Sequence, residues 1–338
     1  MSSGTAPVPG VPGPGAAPAS LRAWWARRPP AAGAAVMATG IVSVGLHLTG
    51  HETLSRIALV LACVAWLGLA ANFVLLLVRE RARWVAQAVT PGALTAVAAT
   101  TVIGTRFALL GRPTPAEALL ALATLLWPVL IVLVVRHWGR RMPGAVFLGC
   151  VATEGLAVLG ATLAAATSTA WLAHASLVPF WLGLVLYAAA LFRFDPAQVV
   201  RGAGDHWVAG GALAISALAG AKLLGAAGSG MYLWNRDDGD VLRTTTVALL
   251  TLDLAWYAVL LIAEIVRVRP RYDVRRWATV FPLGMTSAAT LSVGAVLEVS
   301  WLDGLGEVLL WISVAAWLAV AAGAVTSARP VPEGRRPR

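Results

Sequence analysis

The sequence predicts an all-α membrane protein with ten transmembrane helices, and three observations carry that prediction. Of its 338 residues, 59% are hydrophobic and 12% are charged, whereas a soluble domain carries about 25% charged residues. The apolar residues form ten runs of roughly 20 residues, the length of helix that crosses a bilayer. The arginines fall mostly in the short segments between these runs. Together these features exclude the soluble, disordered and fibrous classes.

The ten apolar runs define the predicted spans in chain order. They lie at residues 30–49, 57–78, 91–110, 116–135, 143–166, 171–192, 206–225, 243–266, 277–299 and 303–325. The first run is longer than the hydrophobic region of a signal peptide and shows no clear cleavage site, so it is predicted to be a retained helix. The sequence therefore divides into a disordered N-terminal tail (1–28), a ten-helix membrane domain (29–326) and a basic C-terminal tail (327–338).

The distribution of arginine predicts the orientation in the membrane. With the N-terminus in the cytoplasm, 20 of the 25 arginines fall on the cytoplasmic side and five on the opposite side. Cytoplasmic loops carry an excess of basic residues, so both termini are expected in the cytoplasm and the protein in the cytoplasmic (inner) cell membrane. The net charge of +10 is spread over short loops. Anionic membrane lipid is therefore the expected partner of these charges, and nucleic acid is not.

The odd and even spans differ in composition. The five odd spans contain 19 glycine and proline residues and the five even spans contain seven. Most of the small hydroxyl residues are also in odd spans. Such residues allow close approach or kinking around a cavity, which lipid-facing helices do not use. The alternation predicts five helical hairpins, with the odd helices in an inner ring and the even helices outside. Tight helix packing, with Ser and Thr bonded to their own backbone, is the alternative reading of the same residues.

Ionisable residues inside the spans are candidates for function because burying a charge in the membrane is costly. Glu154 lies in the fifth span and Lys222 in the seventh. Three interpretations stay open: an ion pair that joins two inner helices, a protonatable Glu154 that couples proton to substrate movement, and a Lys222 that attracts anions. Arg106 is expected to snorkel to the interface or to form an anion funnel with Arg112. Asp253 is expected to bond to a neighbouring helix or to lie at a subunit contact.

Motifs for catalysis, cofactors and metals were sought along the whole chain. Cys63 and Cys150 lie inside apolar runs, so no disulfide framework or cysteine metal site is expected. His47 and His51 have helical spacing but no evident third ligand. The sequence contains no nucleophile elbow, phosphate loop or dinucleotide fingerprint. We therefore expect no enzyme, cofactor or metal; an intramembrane enzyme with Glu154 as general base and a structural subunit are the remote alternatives.

Four odd spans carry sequences that resemble a known family. They are VMATGIVSVGL (Val36–Leu46), FLGCVATEGLAVLGA (Phe147–Ala161), DHWVAGGALAISALAGAKL (Asp205–Leu223) and WATVFPLGMTSAATL (Trp277–Leu291). These strings resemble the tellurite-resistance and C4-dicarboxylate transporter family, which includes fungal malate permeases, sulfite pumps and plant slow anion channels. The resemblance extends over residues 28–325.

The resemblance implies both a fold and a function. It implies five quasi-symmetric hairpins around a central pore, a homotrimer with one pore in each subunit, and transport of small anions. The anions include C4-dicarboxylates such as malate, and inorganic anions or oxyanions related to tellurite. In this family a phenylalanine of the ninth helix occludes the pore, and the motif places that role on Phe281. Pro282 beside it removes a backbone hydrogen bond, so a bulky ring at a kink can close a narrow pore.

The expected pore lining follows from the inner helices and the resemblance together. It comprises Thr39, Gly40, Ser43, Thr101, Thr153, Gly211, Ser216, Gly284 and Ser287. Neutral hydroxyls and positive helix ends replace part of an anion's hydration without holding it too tightly. A proton-coupled dicarboxylate or sulfite carrier stays open as the alternative to a channel. The residues do not distinguish between the candidate anions or between import and export.

Overall fold

A computed structural model describes residues 33–228, 231, 233–267 and 273–328. The described chain is built from ten long helices, which we label in chain order. They are α1 (Gly33–Leu48), α2 (Glu52–Arg79), α3 (Thr95–Leu109), α4 (Pro113–Arg136), α5 (Leu148–Thr167), α6 (Ala170–Leu191), α7 (Val208–Ala227), α8 (Arg236–Val266), α9 (Trp277–Leu297) and α10 (Trp301–Ala328). Two short helices, Arg81–Ala88 and Gln198–Arg201, lie in connecting segments.

The predicted all-α membrane fold is confirmed. Within the described residues, nine helical segments are long and apolar enough to cross a membrane, and α1 is a shorter apolar helix of 16 residues. Each of the ten predicted spans coincides with one long helix. The largest difference is at α8, which begins at Arg236 because Asn235 caps its first turn by accepting a hydrogen bond from the Asp238 amide. The two predicted tails lie outside the described residues, apart from 327–328.

The helices form five hairpins whose inner members close a ring. In ring order the helices α1, α3, α5, α7 and α9 each contact the next one, and α9 contacts α1 again. Each even helix packs against the odd helix before it and also touches the odd helix after it. Every residue from Leu148 to Ala164 of α5 is buried, whereas α2 exposes large side chains such as Val60 and Val74. The odd helices are therefore inner and the even helices face the lipid.

The backbone at the helix ends repeats from hairpin to hairpin. A 3₁₀ turn leads directly into each of α3, α5, α7 and α9. At the other end, among the described residues, four hairpin connections contain a residue in the left-handed region, which reverses the chain after an inner helix. These residues are Gly50, Gly111, Ser168 and Glu298. We call the end of the bundle with these turns the hairpin end and the opposite one the loop end. All five inner helices start at the loop end and run parallel.

Candidate functional site

The inner ring closes through five contacts between neighbouring helices, and each contact includes a small residue. Small residues let helix backbones approach closely where no water is available to drive association. The contacts are, in ring order, Gly40 against Val102, Thr101 against Gly155, Cys150 against Ser216, Gly211 against Pro282, and Gly284 against Ile41. Five of the residues predicted to line a pore thus lie at the seams of the ring: Gly40, Thr101, Gly211, Ser216 and Gly284.

At the seam between α7 and α9, Gly211 lies against a rigid proline. A Cβ atom added at Gly211 would lie 2.8 Å from Cγ of Pro282 and 3.2 Å from its backbone Cα. Neither a proline ring nor a backbone atom can turn aside. The two helices therefore approach at this level only because residue 211 has no side chain.

We expect Gly211→Ala to lower the thermal stability of the purified protein in detergent, by an amount equivalent to about 1–3 kcal/mol, because it overpacks a rigid contact. Gly225→Ala is the matched control on the same helix, since the nearest atom to its new Cβ would be 4.0 Å away. That control should be neutral or stabilising because alanine favours helix. Equal melting temperatures for the two variants would contradict the packing argument.

Phe281 lies on the side of α9 that faces the ring axis. The opposite side of α9 is identified by two hydrogen bonds to outer helices: Thr286 Oγ1 donates to Asp253 Oδ1 of α8 at 3.2 Å, and Ser287 Oγ donates to the Gly306 carbonyl of α10 at 2.7 Å. At about 100° per residue, Phe281 is turned about 120–140° away from both. Its side chain is 1% exposed.

The predicted hydroxyl lining differs from the observed structure. Thr39 Oγ1 accepts a hydrogen bond from Trp317 of α10, and Thr153 Oγ1 accepts one from Trp127 of α4, at 2.9 and 2.8 Å. Ser43 Oγ donates to the Ser55 carbonyl of α2 at 2.7 Å. With Ser287, four predicted pore hydroxyls thus bond to outer helices. The expectation that they face a pore is corrected, because in an apolar membrane these groups satisfy their hydrogen bonds across the nearest hairpin.

Glu154 occupies a pocket between three helices outside the ring axis. Its Oε1 accepts a hydrogen bond from Ser216 Oγ of α7 at 3.0 Å. A Cβ at Gly183 of α6 would lie 2.6 Å from Glu154 Cγ, so glycine makes the room for this side chain. Glu154 and its partner Ser216 therefore lie at the α5, α6 and α7 junction rather than on an open channel.

The predicted ion pair between Glu154 and Lys222 is absent from the described structure. Lys222 forms no ion pair or hydrogen bond with any described residue. Ser216, which bonds to Glu154, is six residues before Lys222, which is a rise of about 9 Å along a helix. The predicted pair between these two charges is therefore not formed among the described residues.

Arg106 is held in a buried cluster near the hairpin end and does not extend to the protein surface, as a snorkelling side chain would. Its side chain is 0% exposed. Nη2 donates to both carboxylate oxygens of Glu52 at 2.9 Å, and Nε donates to Ser55 Oγ at 2.9 Å. Glu52 also bonds to His47 and Arg56. This cluster joins α1, α2 and α3. The apolar pattern of the sequence does not predict this cluster, because Glu52 and Arg106 are 54 residues apart.

Asp253 bonds to a neighbouring helix, as one of the two sequence interpretations predicted. Its side chain is 0% exposed and accepts the hydrogen bond from Thr286 described above, which ties α8 to α9. Its second oxygen, Oδ2, has no partner among the described residues. Asp253 is therefore part of the packing between an outer and an inner helix.

An apolar cavity of about 310 Å³ lies outside the ring, between α2, the short helix Arg81–Ala88, α3 and α4. Its wall includes Trp66, Phe73 and Trp84 and none of the predicted pore residues. An apolar wall suits a hydrocarbon chain better than a hydrated anion. Within the described ranges, no three His, Cys, Asp or Glu side chains are grouped to hold a metal ion.

Comparison with known proteins places this architecture in a family. Residues 27–325 match SLAC1, the voltage-dependent anion channel family. The chain is also similar to two uncharacterized membrane proteins of Mycobacterium tuberculosis, one from strain CDC 1551 / Oshkosh and one from strain H37Rv. Each is 28% identical over 140 residues, which cover 40% of this chain and 68% of the relative. The family match covers nearly all of the described helices and agrees with the resemblance found in the four odd spans.

Proposed function

Because the chain belongs to the family of voltage-dependent anion channels, we propose that it conducts small anions across the cytoplasmic membrane along the axis of its own inner ring. The observation that carries this proposal is the closed ring of five parallel helices with Phe281 turned to its axis. The gate is Phe281, and the seam residues Gly40, Thr101, Gly211 and Gly284 border the path.

The direction of the inner helices supports an anion as the substrate. Each helix has a macrodipole equivalent to about half a positive charge at its N-terminus. All five inner helices begin at the loop end, so five positive helix ends surround the same entrance. Fixed dipoles attract an anion without binding it so strongly that it cannot leave.

The arginine distribution supports a cytoplasmic location for the loop end and for both termini. In this orientation the positive helix ends face the cytoplasm, where anionic metabolites are available. A homotrimer with one pore in each subunit is part of the proposal, by the family resemblance. The exposed apolar side chains of the even helices supply the surface for lipid and for such contacts.

Anion flux into proteoliposomes tests the proposal. Chloride, nitrate, sulfite and malate gradients are applied one at a time, with and without an imposed pH difference, and the membrane potential is recorded. A channel sets a potential that follows the gradient of the permeant anion alone. The absence of flux for every anion, in protein that elutes as a single species, would contradict the proposal.

A proton-coupled carrier is the second candidate, and Glu154 is the observation that favours it. The carboxyl is 0% exposed, its Oε2 has no partner, and no basic side chain contacts it among the described residues. A carboxyl that binds and releases a proton inside the membrane can couple proton movement to transport.

For this candidate we expect Glu154→Gln to abolish the pH dependence of flux while leaving flux down the anion gradient. Glutamine keeps the shape and can still accept from Ser216 but cannot release a proton. Asp253→Asn is the matched control, because it neutralises another fully buried carboxyl outside the ring axis. Unchanged pH dependence in the folded Glu154→Gln protein would rule out this role.

A further inference from the structure

We propose that Lys222 and Ser292 form an anion-binding site inside the ring near its hairpin end. Lys222 is on α7 and Ser292 on α9, which are neighbours in the ring. The inference rests on the proposed function and extends it, because it names a site and a class of ligand. The ligand is a small monovalent anion such as chloride or nitrate.

The position of Lys222 follows from contacts elsewhere on α7. A Cβ at Gly220 would contact the hydroxyl of Thr246, and one at Gly210 would lie 3.1 Å from Trp256, so this side of α7 packs on the outer helix α8. Lys222 is two residues after Gly220, or about 200° around the helix. Its side chain therefore leaves α7 on the side turned away from α8. Lys222 is also 11 residues, or three helical turns, after Gly211, which packs on Pro282, so its side chain is directed toward α9 on the inner side of the ring.

Ser292 is placed on the inward side of α9 by the same reasoning. It is 11 residues after Phe281, which is three helical turns, so both side chains lie on one face of the helix. Ser292 is 7% exposed, and its hydroxyl has no hydrogen-bond partner among the described residues. A buried hydroxyl without a partner is costly, and most such groups in proteins bond to a ligand or water.

The two groups lie at the same depth in the bundle. Gly211 and Pro282 are in contact and mark a common level on the parallel helices α7 and α9. Lys222 is 11 residues beyond this level and Ser292 is 10 residues beyond it, which correspond to rises of about 16 and 15 Å. The site is thus roughly 15 Å from Phe281 along the axis, on its hairpin side.

The acidic side chains near these helices do not neutralise the site. Glu154 bonds to Ser216, about 9 Å lower on α7. Asp303 of α10 packs near Gly294, which is about 200° around α9 from Ser292 and so faces outward. Lys222 contributes three N–H donors and one charge, and Ser292 contributes one O–H donor. One positive charge with few donors matches a monovalent anion better than a dicarboxylate.

The site adds an anion-binding position to the pathway, on the hairpin side of Phe281. An ion that has lost part of its hydration at Phe281 regains donors from Lys222 and Ser292. In the proposed orientation this step is at the outer end of the pore. Binding by a single charge at a half-buried position is strong enough to favour entry and weak enough to allow release.

Chloride currents across planar bilayers test the site through their dependence on chloride concentration. We expect Lys222→Met to raise the half-saturating concentration by at least about tenfold, since the charge that attracts the ion is lost. Lys222→Arg should retain most of the wild-type affinity. Arg243→Met is the matched control, because it removes one exposed positive charge from the outer helix α8 near the same end. Equal half-saturating concentrations for Lys222→Met and wild type would overturn the inference.

A second measurement separates this inference from the proposed function. Crystals of the wild-type protein are soaked in sodium bromide, and an anomalous peak beside the Lys222 ammonium and the Ser292 hydroxyl is expected. A peak without any flux would contradict conduction but support the site. Flux without a peak there would overturn the site and leave conduction intact. Because this experiment uses the wild-type chain, it does not depend on the folding of a variant.

Discussion

Phe281→Ala is expected to raise anion flux at least about tenfold. The ring of Phe281 is 1% exposed and lies on the axis-facing side of α9, so alanine removes a bulky ring from the proposed path. Closure by a hydrophobic side chain excludes water as well as ions, and a factor of ten requires a barrier decrease of only about 1.4 kcal/mol. Flux in proteoliposomes, normalised to the amount of inserted protein, measures the change.

Phe180→Ala is the control for loss of a buried ring. Phe180 is on the outer helix α6, is 0% exposed and makes an edge-to-face contact with Trp181. Both changes leave a cavity and are expected to cost about 3–5 kcal/mol of stability. Only the change at Phe281 opens the axis, so Phe180→Ala should not raise flux. Equal flux from both variants would mean that loosened packing, rather than removal of a gate, lets anions through.

The architecture could be predicted from the sequence because two signals are local to each helix. The apolar runs predict the positions of the spans. The excess of glycine and proline in odd spans predicts which helices form the inner ring. Gly40, Gly155, Gly211 and Gly284 show the physical cause: an inner helix has ring neighbours on both sides and needs small residues at those seams. An outer helix such as α2 packs on one side only and can keep large side chains.

The direction of individual polar side chains could not be predicted in the same way. Thr39, Ser43 and Thr153 are in inner helices, but an inner helix also has a face toward its outer partner. A difference of one residue rotates a side chain by about 100°, so composition alone does not separate the two faces. The hydrogen-bond partners that fix the direction of these side chains, such as Trp317 for Thr39, are distant in sequence.

Glu52→Gln is expected to lower the melting temperature of the protein. Arg106 is fully buried, and its Nη1 has no partner among the described residues. Loss of the Glu52 charge leaves the guanidinium without a counter-charge. Breaking a fully buried pair costs about 3–5 kcal/mol, and the cost here is smaller because the Glu52 side chain is 35% exposed and water reaches it. Thermal unfolding in detergent measures the loss.

Three further variants separate the buried pair from the rest of the cluster. Arg56→Gln removes the exposed partner of Glu52, whose side chain is 66% exposed, and should cost no more than about 1 kcal/mol. Arg106→Met should cost less than Glu52→Gln, because the carboxylate left behind is partly hydrated and keeps His47 and Arg56. In the double variant Glu52→Gln with Arg106→Met, the buried charge is gone and much of the stability should return. If the two single losses simply add in the double variant, then Glu52 and Arg106 do not stabilise the junction of α2 and α3 as a pair.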